Sequence, residues 1–142
     1  IKFTQSKHIF FDFKKIINYP NLYKSICNEI YNKINKNNKF DNILLNNEIK
    51  IFEPFLCEEK KLDCIYFNEY NKHNYNNVVY IDNQIISEDY LENKIKLCKE
   101  KGYNITQIIT FISNIKKDNK YDNIEFSYLY HKDDFTNNFF IE

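Results

Sequence analysis

The 142-residue chain contains one glycine, two prolines, and no arginine, alanine, methionine or tryptophan. With Gly102 as the sole glycine, every loop that needs several side-chain-free positions is excluded. That removes the Walker loop, the dinucleotide fingerprint and the hydrolase elbow. Without arginine there is no bidentate fork for phosphate or carboxylate, so an anion site would have to use Lys, backbone amides and hydroxyls. No apolar run approaches the roughly 20 residues of a membrane-spanning helix. No net charge of either sign remains: Lys and Arg total 20, all of them Lys, against 20 Asp and Glu. The balance provides no long-range field for nucleic acid or an acidic membrane surface, and we expect neither as a partner.

What is present is mostly Asn, Lys, Ile, Tyr and Phe, the set spelled by codons rich in adenine and thymine, which we read as genome bias. Hydrophobic residues make up 43% of the chain, with 12 Tyr and 13 Phe. The Asn residues are interspersed with this apolar content, so a folded chain is expected and not a polar disordered tract. Only Asn32 to Lys39 and Asn71 to Asn77 read as low-complexity loop.

Four cysteines, Cys27, Cys57, Cys64 and Cys98, lie far apart with no CxxC and no adjacent His pair. That spacing argues against zinc. Free thiols in a reducing intracellular compartment, cytoplasm or an organelle such as the mitochondrion, are the expectation. Asn104-Ile105-Thr106 is formally a glycosylation sequon, but such triplets arise by chance in so Asn-rich a chain. The chain begins at Ile1 and lacks Met, as a processed or trimmed product would. His8, His73 and His131 are scattered, and Glu58 to Lys61 reads as a solvated charge run.

Along the chain, Ile9 to Phe13 has the pattern of a short aromatic strand. Tyr19-Pro20 then breaks the chain, and Pro suits the first turn of a helix. Tyr23, Ile26, Cys27, Ile30 and Ile34 recur at spacings of three and four, which predicts an amphipathic helix. Phe40 to Leu45 predicts a buried strand, and Ile49 to Leu62 fits strand and helix equally. Asp63 to Phe67 predicts a strand, and Asn68 to Asn77 a polar loop. Val78 to Ile81 is apolar without alternation, as in a strand covered on both faces. A turn over Asn83 to Glu88 should follow. Ser87 would cap a helix with Glu88 and Asp89 in its first turn, Leu91, Ile95 and Cys98 on one face, and Gly102 at its left-handed end. Ile105 to Ile112 and Ile124 to Tyr130 predict two more strands, and Thr136 to Glu142 an irregular tail. Strands alternating with helices predict one α/β domain over residues 1–142, a doubly wound, mostly parallel sheet with helices on both faces.

In this order the segments resemble the type I phosphoribosyltransferases, the orotate phosphoribosyltransferases most of all. The resemblance runs from about Phe3 to Asp118. FTQSKHIFFDFKKIINYPNL resembles the family's opening segment, and FDNILLNN stands where it has a strand ending in a Gly-Val-Pro turn. LDCIYFNEYNKHNY stands where it has a strand entering a basic catalytic loop. VVYIDNQIISEDYLENKIKLCKEKG stands at its signature of apolar strand, two acids, paired hydroxyls with a Gly, and helix. ITQIITFISNIKKD follows as the next strand.

The departures fall on the binding positions. The first signature acid falls on Ile81 and the second on Asp82. The hydroxyl pair falls on Ile85 and Ile86, and the Gly on Ser87. The basic loop cluster falls on Tyr66, Phe67 and Asn68, with only Lys72 nearby, and the Gly-Val-Pro turn falls on Leu45, Asn46 and Asn47. Each lost charged hydrogen bond to phosphate removes ~1.5–3 kcal/mol, and lost loop cations remove transition-state stabilisation. The resemblance therefore implies a catalytically silent member, a structural or regulatory subunit acting through a protein partner or as a homodimer, without catalytic residues, metal or cofactor. The alternative is a divergent active orotate phosphoribosyltransferase. Asp82 would then contact ribose, Ser87 and helix-start amides would hold phosphate, and Lys14 and Lys72 would serve as cations with Mg2+.

Overall fold

A computed structural model describes residues 3–4, 10–11, 13–37, 39–66, 76–116 and 123–135. Strands β1 (Phe3–Thr4) and β2 (Phe10–Phe11) form a small antiparallel pair. The main sheet contains β3 (Asn42–Leu45), β4 (Cys64–Tyr66), β5 (Asn76–Ile85), β6 (Tyr103–Ser113) and β7 (Glu125–His131). Its order is β4-β3-β5-β6-β7, with every pairing parallel. Helices α1 (Pro20–Lys33) and α2 (Glu88–Glu100) pack on opposite faces. The fold is α/β, as the alternation of patterns requires.

The two faces are set by strand periodicity. On the α1 side, Ile43, Leu45, Val79, Ile81 and Ile109 meet Ile26, Cys27 and Ile30 of α1. On the α2 side, Leu44, Val78, Tyr80 and Ile108 meet Leu91, Ile95 and Cys98 of α2. Residues i and i+2 of one strand thus share a face, as the pleat demands. Pro20 stands in the first turn of α1, where its missing N–H is no loss. The other end of α1 is held by Gln107 of β6, whose amide donates to the Lys33 carbonyl (2.6 Å) and accepts from the Asn35 N–H (2.9 Å).

Asparagine is put to use at the N-terminal edge of the sheet. The Asn76 amide donates to Asn42 (3.0 Å), and the Asn104 amide donates to Asn77 (2.7 Å). Polar side chains thereby stitch β3 to β5 and β5 to β6.

Four expectations change. The polar loop expected over Asn68 to Asn77 ends early, because Asn76 and Asn77 already belong to β5 and pair with Tyr103 and Asn104. Of the predicted strand Ile9 to Phe13, the described pairing is at Phe10–Phe11 and Phe13–Asn18 turns as a 3-10 helix, while Ile9 and Asp12 lie outside the described residues. The ambiguous Ile49 to Leu62 segment is neither strand nor regular α-helix. It forms a 3-10 helix, Asn47–Phe52, capped by Asn46, then a π-helical turn, Phe55–Glu59, begun by Pro54. The turn expected at Asn83 starts later, because β5 continues to Ile85 and pairs Gln84 with Ile112 and Ile85 with Ser113. Backbone pairing continues past the apolar run because the polar side chains there find internal partners. Lys72, His73 and the Thr136 to Glu142 tail lie outside the described residues.

Ser87 caps α2 as expected, its Oγ accepting from the Tyr90 N–H at 3.1 Å. Gly102 closes that helix at φ 85°, a left-handed value that costs glycine nothing. Ser87→Ala should lower unfolding free energy by about 1 kcal/mol. Denaturant unfolding would measure this, and an unchanged midpoint would show that the cap contributes nothing.

Candidate functional site

The chain runs from β3 outward to β4, then returns to place β5 on the other side of β3. That reversal opens a crevice beyond the carboxyl ends of β3 and β5, the place where open parallel sheets bind ligands. Four side chains converge there on the α2 face: Asn46 after β3, Tyr80 and Asp82 of β5, and Tyr90 of α2. Tyr80 and Asp82 are two residues apart on one strand, and Tyr90 stands in the first turn of the helix that lies over them.

Asp82 is fully buried. Its Oδ2 accepts from the Tyr80 hydroxyl at 2.5 Å and the Tyr90 hydroxyl at 2.8 Å, and its Oδ1 accepts from the Gln84 N–H at 3.3 Å. The Asn46 amide donates to both phenol oxygens, at 3.3 and 3.4 Å, while its Oδ1 accepts from the Glu48 N–H at 3.0 Å. Burial pushes the Asp82 carboxyl above its ordinary range, against the opposing pull of Tyr80, Tyr90, Lys94 and the Gln84 amide. Burial, then the charge of Asp82, raises both phenols as well, so they remain donors.

The strand-to-helix connection is equally occupied. Asn114, just beyond β6, donates its N–H to the Ile85 carbonyl (2.9 Å) and its amide to the Ile86 carbonyl (3.2 Å). Its Oδ1 accepts from the Gln84 amide at 3.0 Å. Ile85 is fully buried in the core beneath α2. Only Ile86 and Ser87 separate strand from helix. In this connection the Ile85 carbonyl is held by the Asn114 backbone N–H and the Ile86 carbonyl by its side-chain amide, and the Tyr90 N–H is held by Ser87. A phosphate cradle is built from free N–H groups in a turn with little side-chain bulk.

Solved structures with the same architecture were found at high similarity of form and low identity. The UMP synthase of Leishmania donovani superposes with a TM-score of 0.68 at 18% identity, covering 89% of this chain and 30% of that one. The orotate phosphoribosyltransferase of Aeropyrum pernix gives 0.68 at 8% identity, covering 89% of this chain and 80% of that one. The fold is that of the type I phosphoribosyltransferases. A third member, the adenine phosphoribosyl transferase of Trypanosoma brucei in complex with AMP, pyrophosphate and ribose-5-phosphate, gives 0.68 at 14% identity, covering 96% of this chain and 78% of that one. The chain thus spans less than a third of the UMP synthase. No protein-family model and no curated protein sequence matches it.

Within this phosphoribosyltransferase fold, the four positions named from sequence have different fates. Asp82 and Ser87 come together through Tyr90, which binds one with its hydroxyl and the other with its N–H. Lys14 lies in the Phe13–Asn18 segment, and its side chain falls outside the described residues, as does the whole of Lys72. Both carboxylate oxygens of Asp82 are engaged by hydrogen bonds from Tyr80, Tyr90 and the Gln84 N–H, at the positions a divalent cation would use. Tyr80, Tyr90 and Asn114 were not picked out by sequence reading, and Asn46 was named only as a position of the Gly-Val-Pro turn. The available signal was Tyr80 two residues before Asp82, a spacing that places both on one sheet face.

No helix among the described residues is long and apolar enough to cross a membrane.

Proposed function

We propose that this chain is a catalytically inactive phosphoribosyltransferase-like protein, working as a structural or regulatory subunit through contacts with a protein partner or a second copy of itself. One observation carries the reading: β5 continues through Ile85, and Asn114 pins the connection that follows. Where a sugar phosphate would need amide donors, the chain presents an occupied carbonyl and a buried isoleucine. The neighbouring carboxylate is consumed by Tyr80 and Tyr90. Support for protein contacts comes from Ile17, Tyr19 and Leu22, which remain exposed around the start of α1 at 59, 52 and 37%. Aromatic and aliphatic side chains of this kind are favoured in interface cores.

Titration with phosphoribosyl pyrophosphate and with orotate, each to millimolar concentration with Mg2+, should leave the melting temperature unchanged. A ligand at a hundred times its Kd would add about 2.7 kcal/mol of apparent stability, an unmistakable rise. Such a rise would favour the divergent active enzyme over the silent subunit. Sedimentation then tests the second half of the proposal, and a strictly monomeric chain that co-purifies with nothing would count against it.

A further inference from the structure

A groove of about 300 Å³ runs between the start of α1 and the π-helical turn begun by Pro54. Both prolines of the chain stand exposed on it, Pro20 on one wall and Pro54 on the other. The floor is aromatic and fixed. Tyr23 donates its hydroxyl to the Ile51 carbonyl (2.5 Å) and stacks on Phe52 at 5.6 Å, and Phe55 is 7% exposed. Beside the α1 wall stand Ile17, Tyr19 and Leu22, three of the four large hydrophobic side chains that the described residues leave exposed.

The two walls carry opposite charge. Exposed Lys24 lines the α1 side, and exposed Glu58 and Glu59 line the turn side. None of the three forms an ion pair among the described residues. A two-fold axis lying along the groove supplies what each wall lacks. It sets one copy face-on to another and exchanges the walls, so Lys24 of each copy stands over Glu58 and Glu59 of the other. The same rotation carries the apolar side chains beside one α1 toward the Pro54–Phe55 wall of the facing copy. A patch that complements itself in this way is the mark of an isologous contact. With 20 Lys against 20 acidic residues, no net repulsion keeps two copies apart.

We propose that this groove is the interface of a symmetric homodimer, its occupant being the same groove of a second copy of the chain. The proposal rests on the reading of the chain as a subunit that works through protein contacts. The aromatic floor and the exposed α1 side chains supply the buried centre, and the crossed charges make a polar rim that sets register. A segment of one charge sign would satisfy one wall and be repelled by the other, so a second copy fits better than a purely basic or purely acidic partner.

Sedimentation of the unaltered chain over a concentration series should show a monomer–dimer equilibrium. Lys24→Glu makes both walls acidic, and Glu58→Lys with Glu59→Lys makes both basic. Each variant should weaken dimerisation at least ~10-fold through like-charge contact. Mixed together, the two variants should pair with each other, since each offers the charge the other lacks. A chain carrying all three changes should dimerise like the parent. Carbodiimide coupling of the unaltered chain, prepared as a mixture of light and heavy-nitrogen protein, gives an answer that a misfolded variant cannot spoil. Linked peptides joining Lys24 to Glu58 or Glu59 should appear as mixed-isotope pairs. A parent that stays monomeric, variants that dimerise undiminished, no rescue on mixing, or links within one copy only would each overturn the proposal. A monomer that binds a different protein through this groove would overturn it too, yet leave the subunit reading in place. A rise in melting temperature with phosphoribosyl pyrophosphate does the reverse, removing the silent-enzyme reading and leaving the dimer.

Discussion

Tyr80→Ala should destabilise the fold by about 3–5 kcal/mol, the range for emptying a buried aromatic site. The ring is fully buried on the α2 face. Its hydroxyl also accepts from Asn46 and donates to Asp82, so truncation leaves a cavity and removes a donor from a buried carboxyl. Tyr80→Phe separates the two contributions, retaining the ring and removing only the hydroxyl. Loss of a hydrogen bond to a carboxyl should cost about 1.5–3 kcal/mol if the acid is charged and less if it is protonated. Urea unfolding of the three proteins measures both steps. A Tyr80→Phe variant as stable as the parent would show that the network in the crevice holds nothing together, and the reading of it as a structural plug would fail.

The second large effect is a pH dependence. Asp82 is fully buried, and its carboxyl titrates above the unfolded value of ~3.9. A group raised on folding contributes stability that is complete below the unfolded pKa and lost as pH rises through the folded one. Over that window each pH unit should cost the parent about 1.4 kcal/mol relative to Asp82→Asn, which retains an acceptor but cannot ionise. Above the folded pKa the difference becomes constant. Thermal or denaturant unfolding of both proteins across acid to neutral pH gives the difference directly, and the subtraction cancels every other titrating group. A flat difference would mean that Asp82 ionises equally in both states. It would also reopen the possibility of a charged carboxylate facing a ligand.

These two experiments bear on the proposed function, because that reading takes the buried network to fill the place a ligand would occupy. In a working nucleotide site the acid at the switch point faces solvent and ligand. Here it faces two phenols and a backbone amide. Stabilising residues at that point is the physical opposite of keeping it free for binding.

The elements themselves could be read from the chain because local patterns dictate them. Three- and four-residue spacing made α1, and an unbroken apolar run made the middle of β5. Ser87, Glu88, Asp89 and Gly102 marked both ends of α2. The segment Ile49 to Leu62 could not be read, since Pro54 and crowded aromatics satisfy several local patterns and packing selects among them. The end of β5 was misjudged for a related reason. Asn83 and Gln84, directly after Asp82, look like a turn in isolation. They continue the strand because Tyr80, Tyr90 and Asn114 supply partners for the buried acid and amide.

The order of apolar stripes, caps and breaks was enough to determine an α/β sheet with a helix on each face, because those features act over a few residues and follow the backbone period. How the polar groups at the crevice are partnered was decided only in three dimensions. Asn46, the Tyr80–Asp82 pair, Tyr90 and Asn114 come from four separate places along the chain, and polar groups reveal their purpose only when distant partners converge on them.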